Sequence, residues 1–296
     1  MEYNIYEPRE ELARQVRYHW SLDAGADDPK ERERIFPDGC IELIFNYGEL
    51  FLKHEPDGTS FLQPRGIIYG QIKSFIEVEP TGAVGLFSTR FNPAGLQPFI
   101  DFDVNDFTGR ALTVAELWGN DGIALEQAMI ACADNEARKA TVESFLMKKL
   151  HSVAFDNRDV EYCVEALLTS DGSVSIDKLA DELEISQRQL ERKFVAAVGL
   201  SPKFLARIIR FQNTLQLIEK KEFVNFTNVA YDSGFYDQAH FIKDFKEFKD
   251  IESTEISNND DLNYSFLTRT FMSLSKTQKE NILQILSNSA KFEKTG

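Results

Sequence analysis

The sequence predicts an α+β protein with a β-rich first half and a helical second half. Three observations predict it. Alternating polarity with Gly and Pro punctuation fills residues 1–115, a helical period takes over at Val114, and one short helical pattern occurs twice between residues 175 and 250. With 296 residues, two ordinary domains fit. A hydrophobic fraction of 43%, including 24 Phe, is enough to fill two cores, and 27% charged residues excludes global disorder.

In the first half, Ile41, Leu43 and Phe45 alternate with Glu42, Ile44 and Asn46, the period of a strand with one apolar face. Pro37-Asp38-Gly39 before it is a turn signal. Phe75 to Val78 and Val84 to Phe87 flank Glu79-Pro80-Thr81-Gly82, which reads as a hairpin within Ser74 to Phe91. Several short strands of this kind point to a sandwich or barrel. From Val114 the pattern is helical, and Val142, Phe145, Leu146 and Leu150 share one face. His151 to Arg158 is polar and unpatterned, so the domain boundary is placed there. Asn157 to Leu168 is again amphipathic, and Thr169 to Ser173 is a loop. These boundaries divide the chain into 1–150, 157–256 and a C-terminal extension, 257–296, with one amphipathic segment at Ser275 to Ala290.

Charge and cysteine usage narrow the function. Net charge is −15, which by itself opposes contact with nucleic acid. Ser186 to Lys221, however, holds eight bases against two acids, a +6 island in a chain whose remainder carries −21. Met1 to Glu10 is polar and acidic with no apolar core, so no secretory leader is expected. No apolar run nears the roughly 20 residues that span a bilayer, so no membrane partner is expected. The three cysteines, Cys40, Cys132 and Cys163, are odd in number and far apart, which fits a reducing, cytoplasmic setting. The four histidines are isolated, and C-x-x-C, P-loop and G-x-G-x-x-G motifs are absent, so neither metal nor cofactor is expected.

The repeated pattern carries the functional argument. Ser175 caps a segment with Leu179, Ala180 and Leu183 on its apolar face. Glu184-Ile185-Ser186 breaks it, and Ser186 caps a second segment whose face is Leu190 and Phe194. Small Ala180 permits two helices to cross closely, as a helix-turn-helix requires. The outward residues of the second helix are Gln187, Arg188, Glu191 and Arg192, long polar groups that reach base edges and phosphates. The pattern returns at Asn228 to Phe248. Val229 and Ala230 replace Leu179 and Ala180, Gly234 supplies the turn, and Asp237 caps a helix with Phe241, Phe245 and Phe248 inward and Gln238, Ala239, His240 and Lys243 outward. Between the units, Pro202 to Lys220 reads as one long, largely buried helix.

Leu179-Ala180, Ser186, Leu190, Phe194, Gly199-Leu200-Ser201-Pro202, Arg210, Ala230, Gly234-Phe235, Asp237-Gln238, His240-Phe241 and Phe245-Lys246 together resemble the DNA-binding domain of AraC/XylS regulators over about residues 157–256. Phe36 to Asn46, Phe87 with Arg90-Phe91, Pro93 to Leu96 and Glu116 to Gly119 are similar to a sensor-like region in one branch of that family. The resemblance implies a cupin-like barrel followed by an all-α domain of about seven helices with two helix-turn-helix units. Two positions depart from the pattern. Asp250-Ile251-Glu252-Ser253 replaces the usual Gly-hydrophobic-Ser-Pro, and Glu184 stands where Gly is common.

The resemblance implies a sequence-specific transcription regulator, not an enzyme, that binds double-stranded promoter DNA. It further implies a small-molecule effector on the N-terminal domain, a homodimer, and contact with RNA polymerase if the protein activates. The candidate DNA-binding residues are Ser186, Gln187, Arg188, Glu191, Arg192, Lys193 and Lys203 in the first unit, and Asp237, Gln238, Ala239, His240, Lys243 and Lys246 in the second. Arg210 reads equally as a DNA contact or as an internal ion-pair partner. Two other readings stay open at the level of sequence: a barrel enzyme with a helical appendage, and an interaction module that has lost DNA binding.

Overall fold

The computed structural model describes residues 2–28, 30–150 and 157–220, with side chains in the last helix as far as Thr214. Ten strands form the first half: β1 (Glu2–Tyr6), β2 (Val16–Ala24), β3 (Glu33–Ile35), β4 (Glu42–Asn46), β5 (Phe51–His54), β6 (Ser60–Leu62), β7 (Gly66–Tyr69), β8 (Ile76–Pro80), β9 (Val84–Phe91) and β10 (Ala111–Thr113). They make a six-stranded sheet in the order β1-β2-β9-β4-β7-β10 and a four-stranded sheet in the order β3-β8-β5-β6, and among the described residues neighbouring strands pair antiparallel.

Period-2 alternation sorts the large sheet's two faces. Leu43 and Phe45 of β4, Phe87 and Phe91 of β9 and Val16 of β2 are buried in one cluster. Its other half comes from α1 (Val114–Trp118), α2 (Asn120–Ala131) and α3 (Asn135–Leu150), through Leu117, Leu125, Met129, Val142 and Leu146. The opposite face is more polar: Tyr18 stands across from Arg90, Trp20 from Ser88, and Glu42 from Arg90.

The hairpin expected over Ser74 to Phe91 does not form. β8 pairs with β3 and β5 in the small sheet, whereas β9 pairs with β2 and β4 in the large one. The chain does reverse at Pro80 to Gly82, but the reversal is a crossing between sheets. The turn after β4 crosses beside it: Thr81 N donates to Leu50 O, Glu49 N to Ala83 O, and Gly48 N to Gly85 O at 2.9 Å. The two crossings touch backbone to backbone, since a Cβ on Gly48 would lie 2.4 Å from Gly85 N. Local turn chemistry cannot distinguish this arrangement from a hairpin.

The entry to α1 is a capping box. Thr113 Oγ1 accepts from Glu116 N at 3.1 Å, and the Glu116 carboxylate accepts from Thr113 N at 2.7 Å, which also holds its pKa below the usual range. Thr113→Ala is expected to cost about 1 kcal/mol, read as a fall of roughly 2–4 °C in melting temperature.

The helical half contains α4 (Arg158–Thr169), α5 (Ile176–Glu182), α6 (Gln187–Val198) and α7 (Pro202–Lys220). Their core joins Val160, Cys163 and Leu167 of α4, Leu179 and Ala180 of α5, Leu190, Phe194 and Val198 of α6, and Leu205, Ile208 and Phe211 of α7. Ala94 of the β-rich half is buried in the same cluster and Phe36 packs against it, with the Phe36 and Phe211 rings 6.0 Å apart. The helical core is therefore partly closed by residues of the β-rich half, far earlier in the sequence.

Candidate nucleic-acid interface

The first helix-turn-helix is built by its caps and its turn. Ser175 Oγ accepts from Lys178 N to start α5. Glu184 then turns the chain with φ of 54°, in the left-handed region where Gly is the usual occupant. Ile185 N donates to Ala180 O at 3.1 Å, and Ser186 Oγ accepts from Gln189 N at 3.2 Å to start α6. Gly199, with φ of 81°, ends α6 in the left-handed cap that Gly favours.

This frame sorts the side chains of α6. Leu190, Phe194, Ala197 and Val198 face the core. Ser186, Gln187, Arg188, Gln189, Glu191, Arg192 and Lys193 are exposed. Arg188 and Arg192, four positions apart, share one face, and neither makes an ion pair or side-chain hydrogen bond to any described residue. No acidic residue occupies the first turn of α6. The face therefore offers guanidinium forks with their donors open, the group that recognises guanine edges and phosphates.

Two candidates differ in availability. Lys193 is ion-paired with Asp159 of α4, so its charge is already engaged. Lys203 is exposed at the start of α7. Arg210 has a structural role: Nη1 donates to Gly172 O at 2.6 Å, and Asn213 beside it donates to Asp171 at 3.0 Å. Both bonds tie the α4–α5 loop to α7. Gly172 is needed there, with φ of 74° and an added Cβ 2.5 Å from Ala206 O. Sequence reading missed Gln189, whose exposure beside Arg188 and Arg192 follows from its place three residues after the cap. The second-unit candidates, Asp237, Gln238, Ala239, His240, Lys243 and Lys246, lie outside the described residues, as does the 257–296 extension.

Comparison with known proteins joins this geometry to a type of domain. A model described as "Helix-turn-helix domain" matches residues 179–256. The chain carries a helix-turn-helix domain at its C-terminal side. Residues 4–113, in the β-rich half, match a model described as "Domain of unknown function (DUF6597)". No curated protein matches the sequence. Among solved structures, ToxT from Vibrio cholerae is 14% identical with a TM-score of 0.43, over 86% of this chain and 96% of that one. ToxT from Vibrio cholerae O395 bound to (E)-4-(8-methylnaphthalen-1-yl)but-3-enoic acid is 15% identical with a TM-score of 0.42, over 86% and 97%. The AraC-like transcriptional activator CuxR is 13% identical with a TM-score of 0.24, over 74% and 86%. These overall likenesses are loose.

Among the described residues no group of three or more His, Cys, Asp or Glu is placed to hold a metal ion. Burial pushes the Cys163 thiol up to about 12, far from the thiolate form that reacts. Among the described residues no helix is long and apolar enough to cross a membrane. Trp118 is committed to packing, its Nε1 donating to Phe99 O at 2.9 Å and its ring meeting Phe145 edge-on at 4.9 Å.

Proposed function

We propose that this protein is a sequence-specific transcription regulator of the AraC type that binds double-stranded promoter DNA through α6. The observation that carries the reading is the exposed face of Gln187, Arg188, Gln189 and Arg192 on a capped helix whose other face is fully buried. Such a helix can enter the major groove without disturbing its own core. The helix-turn-helix match over residues 179–256 extends past α7 and so supports a second unit in the same chain; Asp237, Gln238, Ala239, His240, Lys243 and Lys246 are the contacts proposed for it.

The linking helix bears on the form of the site. α7 has 19 residues, so it is about 28 Å long at 1.5 Å per residue. That length is close to one duplex turn of about 34 Å, so the two recognition helices are expected in successive major grooves on one face. A single chain then protects an asymmetric site of two short boxes about 10 bp apart. A footprint confined to one half-turn would contradict this.

Residues 1–150 are assigned the sensing and dimerising role, 157–256 the DNA-binding role, and the protein a cytoplasmic setting. A small-molecule effector would act on the β-rich half, and RNA polymerase would be the partner if the regulator activates. A chain of net charge −15 repels the duplex at long range, so two copies on paired sites would recover affinity through effective concentration. The test is a titration of duplex DNA across salt concentrations. Log affinity should fall linearly with log salt, by about 0.9 per phosphate contact, and paired sites should bind more tightly than single ones. Equal affinity for single and paired sites, with a monomer in sedimentation, would remove the dimer from the reading.

A further inference from the structure

One chain of contacts runs from inside the β-rich half to α7, and the proposed function does not use it. It begins at a buried cluster on the polar face of the large sheet. Arg90 is 4% exposed and is ion-paired with both Asp38 and Glu42, its Nη1 lying 2.7 Å from Glu42 Oε1. Ser88 Oγ donates to the other Glu42 oxygen at 3.1 Å. Arg90 Nε is buried without a hydrogen-bond partner among the described residues. Two carboxylates share one guanidinium, and burial pushes the Glu42 carboxyl up.

The Asp38 carboxylate belongs to a turn, not to a strand. One of its oxygens takes Arg90 and the other accepts from Cys40 N at 2.9 Å, so the ion pair and the turn share a side chain. The turn's backbone meets the helical half. Gln212 Nε2 of α7 donates to Pro37 O at 2.5 Å. Gly39 has φ of 75°, and a Cβ there would lie 2.5 Å from Leu205 Cδ1 of α7. Gly39 O accepts from Gln71 Nε2 at 3.0 Å. Gln71 also borders Gly199 at the end of α6, whose carbonyl accepts from Thr108 Oγ1 at 2.8 Å. The linking helix is therefore seated on the turn itself, and the end of the recognition helix borders Gln71, whose amide the turn's Gly39 carbonyl holds.

We propose that the Phe36–Cys40 turn couples the two halves: the arrangement of the Arg90, Glu42 and Asp38 cluster sets the seating of α7 and, through it, of the recognition helix. This deepens the regulatory reading above and rests on it for its biological meaning. Removing one partner of a buried ion cluster leaves an uncompensated charge, so a change at the cluster obliges the turn that carries Asp38 to rearrange. Energetic coupling through packed and hydrogen-bonded contacts is then reciprocal, so events at either end bias the other.

A double-mutant cycle on the full-length chain tests the coupling, read by amide hydrogen exchange in Phe204 to Thr214 of α7 without DNA present. Ser88→Ala alters the cluster from inside, and Gln212→Ala removes the hydrogen bond that ties the turn to α7; the first side chain bonds Glu42 and the second Pro37. Ser88→Ala is expected to speed exchange in α7 by about fivefold or more in the parent, and much less in the Gln212→Ala background. An equal effect in both backgrounds, no effect in α7, or a uniform rise across β2, β9 and α7 would overturn the proposal. Should Ser88→Ala fail to fold, Asp38→Asn takes its place with the same readings, since Asp38 is on the turn and partly exposed. Exchange needs no DNA, so failure of the DNA-binding reading and failure of the coupling give different results.

Discussion

Phe194→Ala should destabilise the helical half by about 3–5 kcal/mol, the usual cost of deleting a buried ring. Phe194 has no exposed surface and sits on α6 among Leu179, Leu190, Val198 and Leu200. The cavity would lie directly beneath the helix that presents Arg188 and Arg192. Exchange protection in α4 to α7 should fall first, while the separate core around Leu43, Phe45, Phe87 and Phe91 keeps its protection. Leu168→Ala is the control: its side chain is 43% exposed, and its loss should stay within about 0.5 kcal/mol. A cost below about 1 kcal/mol for Phe194→Ala would mean that α6 is not held from beneath as described.

Arg188→Ala and Arg192→Ala should each weaken binding to a selected operator by about 1–3 kcal/mol, or roughly 5- to 150-fold, if each reads a base. Both are exposed, so their melting temperatures should match the parent. The two are one helical turn apart and can touch the same base pairs, so the double variant need not show the sum. Lys193→Ala should do less, because Asp159 already engages that charge. Fluorescence anisotropy at one fixed salt concentration separates these cases. A uniform loss over all sequences would place an arginine on phosphate, and unchanged binding by both variants would take α6 out of the interface.

Much of the helical half was legible because its signals are local. Ser175 and Ser186 are caps whose hydroxyls need only the next turn, Gly199 and Pro202 mark a stop and a start, and Pro202 to Lys220 is one helix as expected. Glu184 stands where Gly is common, and the strain appears as its positive φ. The alternation of Leu43 and Phe45 with Glu42 and Ile44 likewise places one face against the helices.

What was not legible is long-range. The Pro80–Gly82 reversal looks the same in sequence whether the next strand pairs back or joins another sheet, and the answer lies in its contact with Gly48. The sequence offers two roles for Arg210, and its bond to Gly172, 38 residues away, gives it a structural one. Pro37-Asp38-Gly39 was read as a turn, which it is, but its ion pair with Arg90 spans 52 residues and its contact with Leu205 spans the boundary between the halves. The same contacts bear on division of the chain. A fragment starting at Asn157 would lose Phe36 and Ala94 and bare Leu205, Ile208 and Phe211, so its core is less closed than helical periodicity alone implies.

The most direct test of the central claim is selection from a pool of random duplexes by the full-length protein, repeated with the Arg188→Ala, Arg192→Ala double variant. The account predicts that the parent enriches one asymmetric motif, two short boxes about 10 bp apart, and that the double variant loses or relaxes the box read by α6. No enrichment by the parent over the starting pool, or the same motif at the same strength from the double variant, would contradict it.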